Sequence, residues 1–503
     1  MSVNVAQILH QAAVRHPDRV GVVELAHAGR PREEHTFGAL DQAAARLAAT
    51  LPNDARIGLL ADNGVACVVG WFGAVYAGAT LVPIPPTSPP AESAARLAHA
   101  RATVLLVDDA HAATVDAIAR MLEGELEIVR IEPFLTSTGR ALPHPFATRP
   151  ADTALILYTS GTLGRARGAA ISHASLLLHT ATLACHGLRL GHDDAVLGVL
   201  PLSHSYGCRM AMLAPFYVGA RAVLARAFSA HGSLAAMRDE GVTWVAGVPT
   251  MYAAWAAVAE GAAPPGLRWC LSAGAPLSQD IRRRAEARLG AEIREGYGLT
   301  EATFSTIDLP PDAPTPGSVG RPVWGVEVRV VDEGLNDVPR GATGEVLLRG
   351  HNAMSGYWDD RDATAAAVHH GWLRTGDLGR LDDAGRLWVI DRLKDLILRG
   401  GHSIYPSEIE DALATHPAVA EVAVVGLADS FYGEEVAAVV VLHEGVDLDL
   451  AAVRAFLAPK LAPHKLPVAL AVAAELPLGP SRKVLKRTLR AWLGDGTLTP
   501  ERL

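Results

Sequence analysis

The run Tyr158-Thr159-Ser160-Gly161-Thr162-Leu163-Gly164-Arg165-Ala166-Arg167-Gly168 sets three glycines, three aliphatic hydroxyls and two arginines behind a strand-like segment. Glycine lets backbone N–H groups approach an anion, hydroxyls add donors and arginine neutralises charge, so the chemistry is that of a polyphosphate cradle. The same residue types also build a plain surface turn, and the GxxxxGK[ST] spacing of a P-loop is absent. Asp377, in a Thr-Gly-Asp turn, can accept two hydroxyl hydrogen bonds or act as an Asx-type turn residue. Cys67, Cys185, Cys208 and Cys270 form no CxxC pair. That spacing argues against a zinc site or a disulfide framework and for a reducing cytoplasm, with a cysteine nucleophile as the functional alternative. No GxGxxG opens the first strand-turn unit, which excludes a dehydrogenase of the dinucleotide-binding type.

Further segments follow in order: Pro201-Leu202-Ser203-His204-Ser205-Tyr206-Gly207, Ser272-Ala273-Gly274-Ala275-Pro276-Leu277, Gly296-Tyr297-Gly298-Leu299-Thr300-Glu301 and Arg374-Thr375-Gly376-Asp377. Asp391-Arg392-Leu393-Lys394-Asp395, Gly400–Glu410 and Pro480–Leu489 complete the series. Together with the loop at 158–168, these resemble the signatures of the acyl-adenylate-forming superfamily. That superfamily comprises acyl- and aryl-CoA synthetases, nonribosomal peptide adenylation domains and beetle luciferases; AMP-forming acyl-CoA synthetases look most similar.

The resemblance implies a role for each matched residue. Thr159, Ser160, Gly161, Thr162, Gly164 and Arg167 would hold the phosphates of ATP, and Gly274, Ala275 and Pro276 would form the adenine-side loop. Glu295, Gly296, Tyr297 and Gly298 would complete the nucleotide pocket, with the Tyr297 ring exposed for stacking on the base. Thr300 would bond an α-phosphate oxygen and Glu301 would ligate Mg²⁺, although a lone Thr-Glu pair also opens helices. Asp377 would take the ribose hydroxyls, and Arg392 would assist at ribose or phosphate. Lys483, by residue type a solvated charge, matches the lysine that bridges the substrate carboxylate and α-phosphate oxygens as charge builds up. His204 is placed as a gate or carboxylate contact, or equally as a packed core histidine. Three departures stand out: Arg167 for the usual lysine, Leu163 for a threonine, and Arg482 for the glycine before the lysine.

Two half-reactions are implied. A carboxylate attacks MgATP to give acyl-AMP and pyrophosphate, and a thiol, of CoA or a carrier-protein phosphopantetheine, then takes the acyl group. Between them a mobile C-terminal domain would rotate about Lys394, withdrawing Lys483 and presenting Gly400 and Gly401 along the thiol route. Delivery to an amine or another nucleophile, activation of an amino acid, and a non-catalytic nucleotide-binding relic are the alternatives. The acyl pocket would draw on His204, Tyr206, Arg209, Gly247, Thr250, Ser272 and Gly274. Pro201–Met212 contains no carboxylate to anchor an α-amine, which favours a non-amino acid. Arg209 either faces this pocket, to bind a second carboxylate or polar ring substituent, or faces outward as a helix-surface charge.

Positioning such residues takes more than one core, and 503 residues, half of them hydrophobic, supply two or more domains. A net charge of -9 offers no basic surface for nucleic acid. Apolar runs such as Ile57–Leu60, Val104–Val107, Leu155–Tyr158 and Trp244–Val248 alternate with helical stretches, predicting an α/β N-terminal core (1–392) of parallel sheets covered by helices. Short strands from Val319 suggest a small β subdomain, and residues 393–503 a C-terminal α+β domain. The uncharged stretch Gly64–Pro90 is long enough to span a membrane, but its glycines and closing prolines favour a buried helix, a turn and a short strand. The N-terminus carries no signal-peptide pattern, again matching the cytoplasm.

Overall fold

The computed structural model describes residues 3–122, 126–139, 141–159, 167–259, 261–479 and 484–503. Ser160, Gly161, Thr162, Leu163, Gly164, Arg482 and Lys483 lie outside them. Internal contacts divide the chain into two units, Met1–Val328 with Leu348–Arg374, and Arg329–Leu347 with Thr375–Leu503. The expected boundary at 392 falls inside the second unit, because Arg392 pairs across strands with Asp377.

Among the described residues the first unit contains a nine-stranded and a seven-stranded sheet. Ala195–Gly198, Trp244–Gly247 and Trp269–Ala273 are buried along their whole length. A strand covered by helices on both faces has no solvent side to alternate toward, which is why these runs are continuously apolar. They lie parallel to one another, flanked by parallel Arg221–Leu224, Val20–Glu24 and Ile293–Leu299. Antiparallel Glu33–Thr36 closes one edge; Ala302–Ile307 and Arg321–Pro322 close the other. The seven-stranded sheet repeats the plan. Parallel Glu127–Arg130, Val104–Val107, Arg56–Leu60, Thr80–Ile84 and Thr153–Tyr158 end in antiparallel Gly168–Ser172 and Gly356–Tyr357.

The uncharged stretch becomes the helix Val65–Tyr76, buried at every residue, followed by the strand Thr80–Ile84. Its glycines admit neighbours: a Cβ on Gly73 would lie 2.7 Å from Leu47 Cδ2. No helix among the described residues is long and apolar enough to cross a membrane.

In the second unit, Val419–Asp429 pairs with Gly433–Leu442, and the two-residue period divides their side chains between two cores. Val424, Val436, Ala438 and Val440 pack with the helices Pro406–Leu413 and Leu450–Leu457. Ala423, Val425, Ala437 and Val439 pack with Leu489 and Leu493 of the helix Lys486–Asp495. This is the expected α+β arrangement.

One buried side chain joins the seven-stranded sheet to the segment before His204. Asn63, just beyond Arg56–Leu60, donates from Nδ2 to the Leu200 carbonyl at 2.9 Å and accepts the Leu202 N–H at Oδ1 at 2.8 Å. Asn63→Ala should therefore cost about 2–3 kcal/mol of stability, since two buried backbone groups lose their partners. Denaturant unfolding of the variant and the parent measures the difference.

Candidate active site

In open α/β sheets the loops that carry ligands leave the carboxyl ends of the parallel strands. Gly247, Ser272–Ala273 and the Glu295–Gly296 pair occupy such ends on neighbouring strands of the nine-stranded sheet. Above them sits the short helix Ser205–Cys208, capped by His204, whose Nδ1 accepts the Tyr206 N–H at 3.2 Å. Gly207 allows this helix to sit tightly on its own approach: a Cβ there would lie 2.2 Å from the Pro201 carbonyl oxygen. The Tyr206 hydroxyl shares its proton between the Gly247 and Leu271 carbonyls, at 3.1 and 3.0 Å. Its ring packs edge-on against Phe304, with centroids 4.9 Å apart.

Thus His204, Tyr206, Gly247 and the Ser272 strand converge, as the sequence predicts. Arg209 is 1 % exposed, so the helix-surface alternative is wrong: three residues beyond Tyr206, its side chain shares the buried face. Thr250 differs. It lies in the first turn of the helix Pro249–Ala257 and is exposed.

At the phosphate loop, only the two ends are described. The Thr159 N–H donates to the Arg167 carbonyl at 2.9 Å, pinning the ends together. Tyr158 opposes Gly168, and its hydroxyl donates to the Arg96 carbonyl at 3.1 Å. Arg167 lies over the ring of Tyr357, its guanidinium carbon 5.4 Å from the centroid, with Nε 3.7 Å from Asp360. The Tyr357 hydroxyl donates to Glu301 Oε1 at 2.8 Å. Tyr357 therefore orients the carboxylate expected to face Mg²⁺ while its ring carries the arginine of the loop. A phenol orients a carboxylate without neutralising it, and this half-exposed oxygen donor fits a hard divalent cation that keeps its other ligands from water and phosphate. Nothing in the Gly-Tyr-Trp context of Tyr357 marks it in the sequence.

The adenine-side loop is supported from beneath. Gly274 has φ +94°, which leaves Ala275 and Pro276 exposed while Leu277 turns back into the core. The Leu277 N–H donates to Glu295 Oε2 at 3.3 Å, and Glu295 Oε1 accepts from Arg282 at 2.5 Å. Burial raises the Glu295 carboxyl above its ordinary range, and Arg282 opposes that rise. Glu295, expected at the nucleotide, thus spends its carboxylate on holding the loop. Tyr297, expected to present its ring, is only 9 % exposed. Gly298 is dictated by backbone proximity, because a Cβ would fall 2.2 Å from the Phe304 nitrogen. Thr300 and Glu301 form the turn into Ala302–Ile307.

The second unit carries the remaining residues. Asp377 is buried, and Arg392 Nε donates to its Oδ1 at 2.9 Å across the strand pair. Thr375 accepts the Asp377 N–H at 3.0 Å and donates to the Val346 carbonyl at 2.7 Å, which fixes the turn at Gly376. Lys394 lies in the short helix Leu393–Asp395; burial, then the nearby Arg392, lowers its pKa. Gly400 and Gly401, at φ +55° and +85°, turn the strand Ile397–Arg399 into His402–Ile404, and the Gly400 N–H donates to the Tyr432 carbonyl at 2.8 Å. The chain beyond Lys483 is anchored by Lys486, whose Nζ is 2.7 Å from Glu410.

The chain as a whole is matched by known proteins. Residues 9–358 match the family model described as AMP-binding enzyme, and residues 408–483 its C-terminal domain. The chain belongs to the AMP-binding enzyme family. It is 35 % identical over 474 residues to a sulfoacetate–CoA ligase of Cupriavidus necator, covering 90 % of this chain and 92 % of the relative. It is equally 35 % identical over 474 residues to a feruloyl-CoA synthase of an Amycolatopsis species, covering 91 % and 94 %. The crystal structure of ATP-bound MatB from Rhodopseudomonas palustris superposes with a TM-score of 0.90 at 28 % identity, covering 98 % and 99 %. The enzyme is an AMP-forming acid–thiol ligase: it uses ATP to activate a carboxylic acid as acyl-AMP, releases pyrophosphate, and passes the acyl group to a thiol.

Tyr357→Phe keeps the ring under Arg167 and removes only the bond to Glu301. Its kcat/KM for MgATP should fall about tenfold, as expected for losing one hydrogen bond to a charged group. Steady-state kinetics with varied MgATP measures it; an unchanged value would mean that Tyr357 does not orient Glu301.

Proposed function

We propose that the acid binds beside Tyr206, with the strand ends at Gly247, Ser272 and Gly274 as its walls, and that its carboxylate meets the α-phosphate near Thr300. The observation that carries this reading is the shared hydroxyl of Tyr206, which locks the His204 segment onto two adjacent parallel strands, at the end of one and within the other. In this reading Arg167, Thr159 and the loop residues Ser160, Gly161, Thr162 and Gly164 receive the phosphates, and Asp377 with Arg392 receives the ribose. Glu301 holds Mg²⁺, which when bound offsets phosphate charge. Lys483 donates to the attacking carboxylate and the α-phosphate as negative charge accumulates between them. His204 contacts the acid as a gate. A neutral ring accepting at Nδ1 carries its proton on Nε2.

Lys394 is the hinge in this account, separating a core of residues 1–392 from a C-terminal domain of residues 393–503. Rotation there exchanges Lys483 for the Gly400-Gly401 turn, along which the thiol arrives. CoA is the proposed acceptor, and the phosphopantetheine of a carrier protein presents the same thiol. The substrate is a non-amino carboxylic acid, since the helix after His204 has no carboxylate to bind an amine. The free cysteines, three of them buried, suit a cytoplasmic enzyme.

Pyrophosphate exchange into ATP, followed across aliphatic, aryl, dicarboxylic and amino acids, tests the reading. Exchange should depend on a non-amino acid, and Lys483→Ala should slow it at least about 100-fold, the scale of one charge-stabilising donor. Adding CoA should yield the thioester. Full exchange by the lysine variant would refute its role.

A further inference from the structure

Arg209 is one of the largest fully buried side chains, and among the described residues no carboxylate pairs with it. Its Nε, Nη1 and Nη2 are all buried and lack a hydrogen-bond partner among the described residues. Burial pulls its pKa down to about 10, and the adjacent Cys208 thiol is the one neighbour that opposes this. At neutral pH the guanidinium still carries its charge. An isolated buried charge is strongly destabilising, and proteins pair such groups or keep them for a ligand.

The surroundings are polar but not acidic. His179 Nε2 faces the Phe304 carbonyl at 3.2 Å, and His351 Nε2 faces the Trp324 carbonyl at 3.0 Å. The two rings lie 5.6 Å apart, and each Nδ1 is buried without a partner. Burial, then Arg209, then His351 hold His179 well below its ordinary pKa, and an imidazole, neutral or protonated, supplies no negative charge. The cluster lies behind Phe304, the residue that packs on Tyr206. Phe304 itself has φ +44°, a left-handed conformation that L-residues seldom adopt and that tends to occur at functional sites. Arg209 also opens a stretch of π-helix, Arg209–Leu213, and a second, Thr182–Gly187, follows the helix that bears His179. Such bulges re-aim side chains and often mark sites.

We propose that Arg209, buried beside His179, receives a second anionic group on the acid substrate, so that the enzyme prefers acids bearing a carboxylate or sulfonate remote from the reacting carboxyl. This rests on the acid-activation reading above and specifies its substrate class. A planar guanidinium takes either group through two parallel N–H bonds, and a ligand so charged supplies the counter-ion that the chain lacks.

The test is pyrophosphate exchange with matched pairs: straight-chain dicarboxylates of three to six carbons against their monomethyl esters, and sulfoacetate against methylsulfonylacetate. For at least one pair the parent enzyme should favour the dianion in kcat/KM by about 100-fold or more, the discrimination seen when a site built for a polar group meets an analogue lacking it. In Arg209→Met that ratio should collapse toward one, and Arg209→Lys should keep part of it. Equal or better use of the neutral-tailed partners by the parent enzyme in every pair overturns the inference, whether or not the variants fold. So does an equal loss on both members in Arg209→Met, which would leave Arg209 a packing residue hydrated by buried water. Exchange with uncharged-tail acids alone removes this inference and spares acid activation; exchange with no acid removes both.

Discussion

The site is organised around backbone carbonyls left at the carboxyl ends of parallel strands. A parallel sheet consumes its hydrogen-bonding groups within the ladder, but at the last residues they need other partners. Here the Tyr206 hydroxyl reaches the carbonyl of Gly247, the last residue of its strand, and that of Leu271 within the neighbouring strand, and Tyr252 adds a second donor to Leu271 at 2.8 Å. Tyrosine is suited to this because it buries a large ring while ending in a donor. Once Tyr206 is fixed, the His204 segment, Gly207 and Arg209 have fixed positions as well. The remaining contacts of the acyl side follow from that docking.

The same economy governs the nucleotide side. Groups proposed to meet the nucleotide are held by neighbours: Glu295 and Arg282 support the loop after Gly274, and Tyr357 orients Glu301. In the second unit Thr375 and Arg392 perform this task for Asp377. Catalysis by electrostatic stabilisation needs donors and charges that are already oriented when the reaction begins. Buried supports achieve that, and ordering long side chains such as Arg282, Glu295 and Arg392 is its entropic cost.

The parallel strands were legible because burial on both faces demands apolar runs, and Trp244–Gly247 and Val104–Val107 are such runs. The antiparallel flanking strands were not: Glu33–Thr36 is polar, and Gly168–Ser172 is short and alanine-rich, so neither has a distinctive period. Strand Ala195–Gly198 is short, and the chain leaves the sheet after it so that the Leu200 carbonyl meets Asn63. The family motifs nominate most of the proposed site, yet the supports around it escaped notice, since Asn63, Arg282 and Tyr357 matter only through partners distant in sequence. Arg209 shows the limit most clearly. A helical pattern fixes which residues share a face but leaves open whether that face meets solvent, and a π-helical start shifts the register further.

The most direct test of two chemistries in one site is a single-turnover experiment. Enzyme in excess is mixed with MgATP and the best acid, quenched without thiol, and its products are resolved by mass spectrometry. Acyl-AMP should accumulate in proportion to enzyme, with one pyrophosphate each, and then convert to acyl-CoA when CoA is added without further ATP. Formation of ADP with an acyl phosphate, or acyl-CoA that appears only with fresh ATP, would contradict the account.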